Sequence, residues 1–140
     1  MLRSDIKEFI LRKRENASRG CFQFDAEGLD NYIDWSFHNN FLLYAINDVG
    51  ISGVAMAYPL PRRFDNSLVS LLPSNEKVES EEKADLCVMD WAADDAPSRR
   101  ALVYQFCKRY PNWMKQDKWG VQYGVAKKLN NQYINKLATI

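Results

Sequence analysis

An acid at the end of an apolar run, an aromatic beside it and two cations a few residues on make the segment from Leu86 to Pro111 the first place to look for chemistry. The acid is Asp90, the aromatic Trp91, and the cations are Arg99 and Arg100. Leu86-Cys87-Val88-Met89 reads as a buried strand and Asp94-Asp95-Ala96-Pro97-Ser98 as a polar turn. Leu102, Val103, Phe106, Cys107 and Tyr110 then follow helical spacing. A strand feeding a helix through a short turn sets the free N–H groups of the helix start beside the strand's C-terminal end, where α/β folds bind their ligands.

The elements that must position this junction can be read in order. Ile6, Phe9, Ile10 and Lys13 share a face of a helix expected over about 5–15, after Ser4. Its basic run Arg12-Lys13-Arg14 falls in the last turn, where cations oppose the helix dipole favourably; a phosphate-binding role is the other reading. Leu29, Tyr32, Ile33 and Phe37 mark a second helix over 26–38, ended by Asn39-Asn40. Strands are expected at 41–47 and 51–59 around Asp48-Val49-Gly50, and a third at 67–71. In the second, Gly53, Ala55 and Ala57 leave one face nearly bare, either for a ligand to approach the backbone or for a helix to pack tightly. Residues 74–83, SNEKVESEEK, read as an exposed, mobile acidic loop. A last strand at 119–126 and a short C-terminal helix or tail with Tyr133, Ile134 and Leu137 complete the order. The expected fold is α/β (α+β): a mixed, mainly antiparallel sheet flanked by helices, with a parallel pair formed by the fourth and fifth strands across the crossover helix.

Whole-chain properties narrow the class. With 140 residues the chain is expected to be a single domain, 1–140, burying about two-thirds of its unfolded surface. The formal charge of +1, with 26% charged residues, argues against nucleic acid or an anionic membrane as partner, despite Lys108, Arg109, Lys115 and Lys118 among aromatics. No apolar run approaches the ~20 residues of a membrane span, and the N-terminal segment is too charged for a signal peptide, so a cytoplasmic protein is expected. Cys21, Cys87 and Cys107 suit reduced core thiols. One histidine, His38, and no CxxC or HxxxH spacing leave no zinc site, and P-loop, dinucleotide and GxSxG motifs are missing. Tyr110, Trp113, Trp119 and Tyr123 are expected to cluster, as a lipid slot or a protein-binding face.

The order of elements resembles the GNAT acyltransferase superfamily. A sharper resemblance is local: Asp90-Trp91, Ala93, Asp95, Ala101-Leu102-Val103-Tyr104, Phe106 and Lys108-Arg109-Tyr110-Pro111 look like the core of the toxin-activating lysine acyltransferases, over some twenty-five residues and with a one-residue gap in the turn. Small GNAT-like proteins of bacterial viruses are also similar. The resemblance implies that the fourth and fifth strands splay around a pantetheine arm, and that Asp90 works with a histidine, here His38, as the base that deprotonates an amine. His38 departs from that pattern, lying near the end of the helix that the family's histidine precedes; a helix cap or surface histidine is its other reading. Asp90 likewise has a structural alternative, accepting neighbouring N–H groups or pairing with Arg99 or Arg100.

Further expectations follow from the same resemblance. Tyr123 would protonate a leaving thiol, a bulge near Asp90 would supply an oxyanion N–H, and Trp91, Ala92, Ser98, Arg99 and Arg100 would hold the donor. No glycine stands at the start of the crossover helix, and Asp94 and Asp95 repel a diphosphate, so acyl-CoA is disfavoured relative to acyl carrier protein. No cofactor or metal would be bound permanently, and the acceptor would be an amine such as a protein lysine. Two other functions remain open: an inactive GNAT-derived interaction protein, and a host-factor inhibitor using the acidic loop Glu76–Glu82 as a decoy.

Overall fold

A computed structural model describes residues 2–16, 26–122 and 124–139. The described elements run α1 (Leu2–Asn16), α2 (Ala26–His38), β1 (Leu42–Asn47), β2 (Gly50–Pro59), a 3-10 turn at Leu68–Leu71, β3 (Leu86–Ala93), α3 (Ala96–Arg109), a second 3-10 turn at Trp113–Lys115, β4 (Lys118–Gln122), β5 (Val125–Leu129) and α4 (Asn131–Lys136). The sheet order is β1-β2-β3-β4-β5, antiparallel except for the parallel β3–β4 pair that α3 joins. This is a mixed α+β fold with a five-stranded mixed sheet. None of its described helices is long and apolar enough to cross a membrane.

Alternation along the strands divides the core in two. Val54, Met56 and Tyr58 of β2 with Cys87 and Met89 of β3 meet Ile6, Phe9 and Ile10 of α1 and Leu29, Tyr32 and Ile33 of α2. Ala55 and Ala57 with Leu86 and Val88 meet Leu102 and Phe106 of α3 and Ile134 of α4 on the other face. The bare face of β2 is therefore where α3 packs. A Cβ on Gly53 would sit 3.2 Å from the Leu102 Cδ1, and the Tyr110 hydroxyl donates to the Ala57 carbonyl at 2.6 Å.

Two expected strands differ. Over 67–71 the chain turns as a 3-10 helix, because the Asp65 Oδ1 accepts from the Ser67 N–H and hydroxyl and Asn66 takes φ 73°, closing a local turn instead of extending. The strand expected at 119–126 is split into a β4–β5 hairpin; Gly124, at φ 73°, permits the reversal. The acidic loop is tied down at two points. Arg62 bonds Glu76, Arg109 bonds Glu81 through both Nη atoms, and the Gln116 amide donates to the carbonyls of Glu81 and Ala84.

The aromatic cluster is divided by the sheet. Tyr110 and Trp113 are buried around Phe106 under α3, while Trp119 stacks on Phe64 at 4.2 Å on the α1–α2 side. Tyr123 and Cys21 lie outside the described residues.

Candidate functional site

Between Met56 and Val54 on β2 the register advances two residues, whereas on β3 it advances three, from Met89 to Ala92. The extra residue is a bulge, and it falls on Asp90-Trp91 opposite Ala55. Asp90 takes φ 54°, a left-handed conformation that aspartate tolerates better than most side chains. As a result Met89 and Asp90 both face the α1–α2 layer, while Trp91 returns to the α3 layer, edge-on to Phe106 at 5.8 Å. Just before the bulge the β3–β4 ladder ends: its two pairs are Leu86 with Lys118 and Cys87 with Trp119.

The Asp90 side chain is 5% exposed and gripped by Arg14, whose Nε and Nη2 each donate to one carboxylate oxygen at 2.9 Å. This is a bidentate, charge-assisted pair in a dry setting. The Tyr32 hydroxyl lies against the same carboxylate. Burial first, then the Asp90 charge, hold its proton far above the ordinary tyrosine range. Burial also pushes the neighbouring Cys87 thiol up to about 12, so it is no nucleophile at neutral pH.

The rest of the basic run goes to the turn. Arg12 and Lys13 reach Asp94 at 3.2 and 2.6 Å. Partial burial raises the Asp94 carboxyl, but hydrogen bonds and charge from Lys13 and Arg12 outweigh that and leave it below the usual range. Asp95 is the α3 N-cap, accepting from the Ser98 N–H at 2.8 Å and from the Asn47 amide at 3.0 Å. Bonds from Ser98 and Asn47 hold its pKa at about 2.

The residues expected to act together are dispersed. His38 is exposed at the end of α2, in a surface depression that includes Arg3 from the first turn of α1. Asp90 is bound to Arg14 near the other end of that helix, about 16 Å further along at 1.5 Å per residue. Ser98 is buried, its hydroxyl 2.6 Å from that of Ser52, and so does not face a phosphate. Ala92 pairs with Val54 in the ladder. Arg100 is exposed, and Arg99 is half-buried. Asp90's cation is Arg14, not Arg99 or Arg100. Sequence reasoning missed this because the partners are 76 residues apart. The available signal was three consecutive cations on one helical turn, more than a helix dipole calls for, matched by acids four apart at 90 and 94.

The corner where β3, α3 and α1 meet is thus an ion-pair cluster in which each described carboxylate already has its donors. No protein-family model, no curated protein and no solved structure matches the chain.

Proposed function

We propose that the chain is a binding protein on an acyltransferase-like scaffold, in which the corner that would hold catalysis serves as a structural clamp. The bidentate Arg14–Asp90 pair carries this reading. A carboxylate that is to raise the basicity of a histidine must present an uncompensated charge to it, whereas a guanidinium 2.9 Å from both oxygens neutralises Asp90. The capped start of α3 supports the same reading, since the Asp95 carboxylate already occupies the Ser98 N–H that an anionic donor would need.

One observation favours the transferase reading: the β3–β4 ladder stops after two pairs, beside a bulge, as a thioester slot between parted strands requires. Thiol release from acyl-CoA and acyl carrier protein thioesters, with and without amine acceptors, separates the two. A binding protein leaves both thioesters at their background hydrolysis rate. Release that Asp90→Asn abolishes, in a variant with an unchanged circular dichroism spectrum, would falsify the proposal and restore the enzyme.

A further inference from the structure

The near-neutral total charge is the sum of two opposed halves. Residues 1–95 carry ten Lys and Arg against seventeen Asp and Glu, a net of −7, while residues 96–140 carry nine against the single acid Asp117, a net of +8. Six of the nine described cations of the first half turn to acids: Arg3 to Asp34, Lys7 to Asp30, Arg12 and Lys13 to Asp94, Arg14 to Asp90 and Arg62 to Glu76. Those of the second half mostly do not. Among the described residues, Arg100, Lys108, Lys115 and Lys136 are exposed and have no carboxylate partner.

These four belong to one layer. Arg100, Tyr104 and Lys108 follow i, i+4, i+8 spacing along the outer stripe of α3, whose inner stripe buries Leu102 and Phe106. Helix α4 sinks Ile134 into the same core, leaving Lys136 and Tyr133 outside, and the Asn131 amide ties α4 to the Met114 carbonyl beside Lys115. Tyr104 is 63% exposed, with the Lys108 ammonium 5.4 Å from its ring centre, and Tyr133 is 42% exposed.

We infer that this α3–α4 layer binds single-stranded nucleic acid, with Arg100, Lys108, Lys115 and Lys136 on phosphates and Tyr104 and Tyr133 stacking on bases. Arg100 and Lys108 stand about 12 Å apart along the helix with Tyr104 between them, so two cations that can meet phosphates flank a ring that can stack on a base. A duplex hides its base faces and would leave both tyrosines idle, and polyglutamate offers carboxylates but no flat rings to cover them. The inference names the partner of the binding protein proposed above and rests on that reading.

Fluorescence anisotropy of the full chain with a labelled ~20-nucleotide oligothymidylate, a duplex of equal length and polyglutamate as competitor tests it. The single strand is expected to bind tightest. Affinity should fall about fiftyfold between roughly 50 and 200 mM salt, as four phosphate contacts imply. Reversing charge in Arg100→Glu/Lys108→Glu should weaken binding at least tenfold with an unchanged melting temperature. Tyr104→Ala should weaken the single strand about tenfold and leave the duplex unaffected. Equal affinity for duplex, equal competition by polyglutamate, or wild-type binding by Tyr104→Ala overturns the inference. Thiol release is measured on the same preparation: its appearance would end the binding-protein reading whatever the oligonucleotide does, and failure of the oligonucleotide alone leaves that reading standing.

Discussion

The two faces of the sheet handle charge in opposite ways. On the α1–α2 face, cations turn inward: Arg14 reaches the buried Asp90, and Arg12 and Lys13 fasten the end of α1 to the turn that follows β3. On the α3–α4 face the inner contacts are apolar, built from Ala55, Ala57, Leu102, Phe106 and Ile134, and the cations look outward. Among the described residues Lys118 is buried there, its ammonium donating to the carbonyls of Trp113 and Gln116 and closing the 3-10 turn between them, and Arg109 is held by Glu81. A face locked by ion pairs consumes its charges in holding the fold, whereas a face locked by shape leaves them free for a partner.

The contrast is broken most severely at Arg14. Arg14→Met should destabilise the chain by about 3–5 kcal/mol in urea unfolding, because it strands a buried carboxylate, while Arg14→Met combined with Asp90→Leu should recover much of the loss. A double variant no more stable than the single one would mean that Arg14 acts through something other than Asp90's charge. The corresponding break on the other face is steric. Gly53→Val, placed 3.2 Å from the Leu102 Cδ1 and 3.5 Å from the Ala45 Cβ, should cost about 1–3 kcal/mol by lifting α3. An unchanged urea midpoint would show that α3 is seated more loosely than the apolar lock requires.

The smallest effect sharpens the comparison where the two faces meet. The Asp95 carboxyl, held at about 2 against an ordinary 3.8, favours the folded chain while ionised, so its contribution is full above pH ~4 and fades as pH falls towards about 2. Asp95→Asn keeps a side-chain oxygen at the N-cap but removes the titration. Its melting temperature should therefore fall less than that of the wild type between pH 4 and pH 2. Parallel curves would sink this assignment.

Local pattern made much of this legible. Helix α2 spans the expected 26–38, since Leu29, Tyr32 and Ile33 repeat at helical spacing and Asn40 stops it at φ 63°. The tight hairpin was legible from the Asp48-Val49-Gly50 turn, and the small Gly53, Ala55 and Ala57 marked a bare face open to a ligand or a helix, of which the structure shows the helix α3. Residues 67–71 misled because Leu68, Val69 and Leu71 look strand-like, whereas the turn is set by Asp65, outside that window. The corner at Asp90 was legible as a place but not as a partnership: the bulge and the end of the β3–β4 ladder fall beside the acid, yet no periodicity links residue 14 to residue 90. Charge averaged over the chain likewise hid the division between its halves.

Asp90 is supernumerary in its strand. Strike it out, and Leu86 to Met89 followed by Trp91 to Ala93 alternate perfectly between the two layers, each side chain facing where it faces now. The buried acid thus occupies a single extra residue in an otherwise regular ribbon, so deleting it would leave the facing of every other β3 side chain in place.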